Sequence, residues 1–179
     1  MNKKNQKQKE NAAIFNVLFC GTGGQGVLTA AEIAALAAMH SGHHVKKSEV
    51  HGMAQRGGSV ESHLRFGKRI FSPLIRPGTA DFLVCFDANE GRRMSFYLRK
   101  GGTSLLPFLV DPATQPTDKR FVNTYFLGVL SAFLPIPNGA WTTALTGKLK
   151  RSVKENLNAF EEGKTAGLHS MAPLSRRKG

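Results

Sequence analysis

The chain has 179 residues, of which 41% are hydrophobic and 21% charged, with 19 glycines and a formal net charge of +13. This is chain and apolar material enough for one ordinary domain with a sizeable core, and it excludes collagen-like, coiled-coil and fully disordered proteins. No apolar run approaches the ~20 residues that span a bilayer, and no apolar segment follows the lysine-bearing N-terminus, so a cytoplasmic protein without membrane contact is expected. The charge is unevenly placed: +3 lies in residues 1–10, +4 in residues 164–179 and +6 between them. The organisation expected is a disordered basic arm (1–12), a folded domain (13–163) and a basic tail (164–179). Charge on such tails reads as solvating rather than as a specific nucleic-acid site.

Ile14 to Cys20 is a short apolar, β-branched and aromatic run closed by Gly21, as in a buried parallel strand. Val27 to His40 is rich in Ala and Leu at helical spacing and is stopped by Ser41-Gly42. His44 to Val50 reads as a second strand. From Ser59 to Phe66 the chain alternates, with Val60, Ser62, Leu64 and Phe66 on one face and Glu61, His63 and Arg65 on the other; Gly67-Lys68 then predicts a hairpin into Arg69–Ile75. Asp81 to Phe86 is a third apolar strand, Ala88 to Leu98 a helix carrying Arg92-Arg93 and reaching Arg99-Lys100, Gly101-Gly102 a break, and Thr103 to Val110 a further strand. Residues 111–119 are Pro- and Asp-rich loop. Helices follow at 123–133, 140–150 and 152–162, the last closed by Gly163 and Lys164. The alternation predicts an α/β fold: a Rossmann-like, doubly wound, mostly parallel sheet with an additional antiparallel hairpin.

Cys20 and Cys85 each end an apolar run, which fits buried reduced thiols rather than a disulfide framework. Without a Cys-x-x-Cys pair or a Cys/His cluster, no iron–sulfur or zinc site is expected on this chain. His43-His44 lacks a third ligand at metal spacing.

Gly21-Thr22-Gly23-Gly24-Gln25-Gly26 is a G-x-G-x-x-G placed between the first strand and the first helix. Such glycines permit a tight turn and close backbone approach, and the helix N-terminus then offers N–H groups to an anion. The same spacing also serves a plain strand–helix connection. Gly23 is the position expected to need a positive φ or a close approach. Glu49 lies farther from Gly21 than the ~20 residues at which a dinucleotide-binding carboxylate is expected. The second motif runs from Ser48 to Val60, where Gln55-Arg56-Gly57-Gly58, with His51 upstream, puts a guanidinium beside bare backbone suited to a phosphate or carboxylate. Alternatively Gly57-Gly58 only opens the next strand, and His51 is a hydrogen-bonded loop histidine. Asp87 at a strand end either contacts a ligand or caps the following helix. Arg92-Arg93 and Arg99-Lys100 form a solvated face or meet an acidic partner.

Taken together, VLFCGTGGQGVLTAAEIAALAA, SEVHGMAQRGGSVESHLRFG, ADFLVCFDANEGRR and LNAFEEG resemble the gamma subunit or domain of the 2-oxoacid:ferredoxin oxidoreductases, and within them the beta subunit of the indolepyruvate enzymes. The resemblance runs from about Phe15 to Gly163 and implies a pyruvate:ferredoxin oxidoreductase gamma-type domain. It also implies a small cytoplasmic subunit, inactive alone, in a hetero-oligomer with a large alpha subunit. That large subunit would carry thiamine diphosphate and [4Fe-4S] clusters and pass electrons to ferredoxin, so that this chain meets ferredoxin only indirectly. The complex would oxidatively decarboxylate a 2-oxoacid to an acyl-CoA, with CoA as co-substrate. Gly21, Gly23, Gly24, Gln25, Gly26, His51, Gln55, Arg56, Gly57 and Gly58 would then help shape the 2-oxoacid or CoA pocket, with no catalytic residue on this chain. The alternative is a stand-alone Rossmann-type nucleotide-binding protein.

Overall fold

The structure is a computed structural model, described here over residues 13–51, 57–105 and 115–171. Five strands, β1 (Phe15–Thr22), β2 (His44–His51), β3 (Ser59–Gly67), β4 (Ala80–Cys85) and β5 (Leu98–Leu105), form one sheet in the order β2-β3-β1-β4-β5. β1, β4 and β5 are parallel neighbours, while β3 runs antiparallel to both β1 and β2. Four strands therefore point one way and β3 alone is reversed. The helices are α1 (Val27–His40), α2 (Ala88–Met94), α3 (Val122–Ser131), α4 (Asn138–Lys148) and α5 (Val153–Met171).

Strand alternation decides what lies on each face. Val17 and Phe19 of β1, with Leu64 and Phe66 of β3, face the main core, where α1 presents Ala30, Ala31, Ala34 and Ala38 and α3 adds Tyr125, Phe126 and Leu130. Small side chains on α1 let its backbone lie close to the sheet. Leu18 and Cys20 face the other way, into a smaller cluster with Leu83, Cys85, Met94 and Ile75. Among the described residues that second face is covered by short α2, the 3₁₀ turn Ser95–Tyr97 and the loop before β4. β1 and β4 are thus adjacent parallel strands whose following helices, α1 and α2, lie on opposite faces of the sheet. This is a topological switch point, and ligands of open α/β sheets bind outside the strand ends there.

Several expectations are corrected. The antiparallel partner of β3 is not Arg69–Ile75: β3 is taken on both sides, by β2 and β1, so the hairpin is β2–β3. Residues 68–79 form a loop because their amides have other partners. Ile70 N–H donates to His44 Nδ1 at 3.0 Å, Ile75 N–H to His63 Nδ1 at 3.2 Å, and Arg65 Nη1 takes the Ser72 and Leu74 carbonyls at 2.8 and 3.3 Å. Gly101-Gly102 does not break the chain but sits inside β5, where the register against β4 shifts and Gly101 has φ +74°. Arg99 and Lys100 consequently lie on β5, not on the helix, and Arg99 pairs with Asp81 at 2.7 Å. Residues 106–110, expected to continue that strand, lie outside the described residues, as do the arm 1–12 and residues 172–179. The last helix does not stop at Gly163 and continues to Met171, because Gly163 is a packing position against Tyr125. Finally, Cys20 and Cys85 are not reduced thiols. They face each other in the parallel register of β1 and β4, Cα atoms 4.8 Å apart, and are joined as a disulfide.

Candidate functional site

The site lies at the switch point, where β1 ends in the glycine turn. Thr22 N–H donates to Gln25 Oε1 at 2.8 Å and Gln25 N–H to the Thr22 carbonyl at 3.2 Å, so the glutamine side chain closes the turn on itself. A side chain at Gly21 would meet Gln25 Oε1 at 2.7 Å and Val27 Cγ2 at 2.9 Å, which explains glycine there. Gly24 and Gly26 take left-handed φ values of +97° and +75°. Gly23 does not: its requirement is contact, since its N–H donates to the Gly58 carbonyl at 2.9 Å. A Cβ on Gly23 would stand 3.5 Å from Gly57 N, an ordinary contact, so the tightest position is Gly26, where a Cβ would lie 2.0 Å from Nδ2 of Asn123 at the start of α3. Asn123 is a neighbour of the turn that carries no motif of its own. The helix N-terminus has no side-chain cap.

Two motifs far apart in sequence are thereby brought together, with Gly23 from the turn and Gly57 and Gly58 from the second loop. Gly57 has φ +68° and open space where a side chain would be. His51 ends β2 opposite Val60. Its side chain, and Gln55 and Arg56 entirely, lie outside the described residues.

Beside the loop stands a polar cluster around Arg93, a residue expected on a solvated face or against an acidic partner. Arg93 Nη2 pairs with Glu90 Oε2 at 2.7 Å and Glu61 Oε1 at 3.1 Å, and also contacts Ser59 Oγ, which donates to Glu90 Oε2 at 2.7 Å. Hydrogen bonding to Glu90, ahead of the opposing burial and the Glu90 and Glu61 charges, raises the Arg93 pKa above its ordinary value. The cluster fastens α2 to the first residues of β3, directly after Gly58. Its sequence signal is the i,i+3 spacing of Glu90 and Arg93. Arg92 bonds instead to Asn89 Oδ1 at 2.9 Å. Asp87 is the N-cap of α2: its Oδ1 accepts from Asn89 and Glu90 N–H at 2.9 and 3.0 Å, so it serves the helix.

Next along β3, His63 is buried, with Nδ1 taken by Ile75 and Nε2 3.8 Å from Glu61; burial pushes its pKa below 6.5. Burial also lowers that of His43, against a hydrogen bond to the Pro135 backbone. Among the described residues, no group of three His, Cys, Asp or Glu side chains is placed to hold a metal ion, and no helix is long and apolar enough to cross a membrane.

Residues 16–166, which include the turn, the loop and all of the sheet but Phe15, match the family model described as pyruvate ferredoxin/flavodoxin oxidoreductase. The chain belongs to this family. Among curated proteins, indolepyruvate oxidoreductase subunit IorB from Thermococcus kodakarensis and that from Pyrococcus horikoshii are each 43% identical over 130 residues, covering 66% of this chain and 64% of theirs. The match thus spans slightly under two thirds of those relatives. Among solved structures, the keto/oxoacid ferredoxin oxidoreductase gamma subunit from Geobacter sulfurreducens aligns with TM-score 0.72 at 22% identity, covering 87% of this chain and 99% of that one. The pyruvate oxidoreductase subunit PORC of Thermotoga maritima aligns with TM-score 0.68 at 20% identity, covering 85% and 96%. At such identities these likenesses establish the family's gamma-subunit fold.

Proposed function

We propose that this protein is the small subunit of an indolepyruvate (aryl 2-oxoacid):ferredoxin oxidoreductase and is inactive alone. In this reading a cytoplasmic hetero-oligomer decarboxylates a 2-oxoacid, joins the acyl group to CoA, releases carbon dioxide and passes two electrons to ferredoxin. Thiamine diphosphate and [4Fe-4S] clusters, carried by the large alpha subunit, supply the decarboxylation and electron-transfer chemistry. This chain contributes the crevice at the β1–β4 switch point, where the amides of Gly24 and Gly26, the start of α1 and the Arg56 guanidinium hold a carboxylate or phosphate of the 2-oxoacid or CoA.

The observation that carries the reading is the Gly23–Gly58 contact, which makes one surface of the family's two glycine motifs. The 43% identity to curated IorB subunits supports the indolepyruvate assignment. The alternative of a stand-alone dinucleotide protein is weakened by two features. The Gly23 amide, which a diphosphate would use, is bonded to Gly58, and Glu49 lies on β2, separated from β1 by the antiparallel strand β3.

Anaerobic reconstitution with the large subunit is the test. Arg56→Ala should leave assembly intact and lower kcat/KM for the 2-oxoacid or CoA by roughly 1.5–3 kcal/mol, with partial recovery in Arg56→Lys. Normal kinetics with a destabilised subunit would remove Arg56 from the site, and a purified monomer carrying a dinucleotide would favour the alternative.

A further inference from the structure

At the opposite end of β1 from the glycine turn, a half-open groove of about 710 Å³ lies between the strand's start and the loop before β4. Asn16 and Thr22 are six residues apart on β1, so the groove is roughly 20 Å from the turn. Its apolar lining includes Ile14, Phe71 and Leu74, which are 43%, 78% and 51% exposed. Among the described residues its charged lining is cationic: Arg65, Arg69 and Arg76. Arg65 is committed to Asn16 Oδ1 and to loop carbonyls. Arg69 lies over the Phe71 ring, 4.9 Å from its centroid, and neither Arg69 nor Arg76 has an acidic partner among the described residues. Asp81, which accepts from the lining residue Asn16, is also engaged by Arg99.

Protruding aromatic and aliphatic side chains beside unpaired guanidinium groups match an occupant that is both apolar and anionic. Residues 1–10 of this chain bear +3, the same sign as the groove's arginines, and do not match it in charge. A second copy would bring the same positive charge. A nucleic acid offers phosphates and stacking bases, yet nothing that buries Ile14 and Leu74. We infer that this groove docks an acidic protein segment whose Phe or Leu side chains cover Phe71, Leu74 and Ile14 while its carboxylates pair with Arg69 and Arg76. The inference does not depend on the reading of the glycine turn, which faces the other end of the sheet.

Fluorescence anisotropy on the full chain tests it, with a labelled Asp/Glu octapeptide containing one Phe and one Leu as probe. The intact chain should bind this probe at least about tenfold more tightly than the same peptide with both anchors changed to Ser. The double variant Arg69→Glu/Arg76→Glu should lose about tenfold, and Phe71→Ser a few-fold. All three side chains are exposed, so thermal unfolding should be unchanged, and neutralising the arm lysines to Gln should leave peptide binding as it was. Undiminished binding by the double Glu variant would overturn the proposal. So would loss of binding on neutralising the arm alone, or an oligonucleotide that displaces the peptide and binds more tightly through the same arginines.

Discussion

The amide of Gly23 donates to the carbonyl of Gly58 across 2.9 Å, so the turn after β1 and the loop before β3 are one surface. The contact follows from the register, in which Gly21 faces Val60 and Thr22 faces Ser59. A change that shifts Gly23 therefore also disturbs Gly58.

The turn's intolerance of side chains should centre on Gly26. Its φ is +75° and an added Cβ would strike the Asn123 side chain. Gly26→Ala should cost about 1–2 kcal/mol for the left-handed backbone alone, a fall of about 2–8 °C in Tm. Asn123→Ala in the same chain should recover only the contact part of the loss. Gly23→Ala, with ordinary contacts and no positive φ, should stay within ~0.5 kcal/mol. Thermal denaturation of the three variants ranks them, and a Gly23 effect larger than that of Gly26 would contradict the turn geometry.

The cysteine pair predicts a covalent outcome. Alkylation of the unfolded, non-reduced protein should add no label, and alkylation after reductant should add one at Cys20 and one at Cys85. Closing a loop of 65-residue separation, the bond should contribute roughly 2–4 kcal/mol, read as a lower urea midpoint in reductant. Two labels taken up without reductant would restore the expectation of free thiols.

His63 makes stability depend on pH in a definite direction. Unfolded histidine takes its proton near 6.5, whereas burial holds the folded group below that value. The unfolded state therefore binds more protons in this window, so stability is full above about pH 6.5 and is lost as pH falls through it. Glutamine at this position has no proton to gain. His63→Gln should show a smaller loss of urea midpoint between about pH 8 and pH 5 than the parent, with His43 accounting for part of the remaining slope. Identical slopes would exclude His63 as the group responsible.

Much of the fold was legible because alternation and helical spacing report burial directly. Leu64 and Phe66 do face the core while Glu61, His63 and Arg65 face away, as their period of two requires. The partner of β3 was not legible, since Arg69–Ile75 has strand-like composition and only the tertiary placement of His44, His63 and Arg65 takes its backbone groups. The two glycine motifs were visible, but their contact was not, because register between β1 and β3 is nonlocal. Arg93 looked like surface charge for the same reason: Ser59 and Glu61 lie far from it in sequence. Cys20 and Cys85 lie on strands that only the sheet order makes neighbours.

The sharpest test of packing lies at the crossing of α3 and α5, the helix expected to end at Gly163. A Cβ at Gly163 would lie 2.0 Å from the Tyr125 carbonyl oxygen, one at Gly128 2.0 Å from that of Phe160, and one at Gly167 2.7 Å from that of Val129. All three obstacles are backbone, which cannot rotate away as a side chain can, so accommodating a methyl means separating the helices. Separation would also strain the Thr124 Oγ1 to Asn156 Oδ1 bond of 2.6 Å that ties them. Against this, alanine is a better helix former than glycine by about 1 kcal/mol. Overpacking costs about 1–3 kcal/mol, at its upper end where nothing can yield, so Gly163→Ala and Gly128→Ala should each destabilise the protein despite the propensity gain. Gly147, in α4 with nothing within 4 Å, isolates the opposing effect, and Gly147→Ala should raise stability by about 0.5–1 kcal/mol. Urea unfolding of the three variants gives both signs. Stabilisation by Gly163→Ala comparable to that of Gly147→Ala would mean that α3 and α5 do not cross this closely.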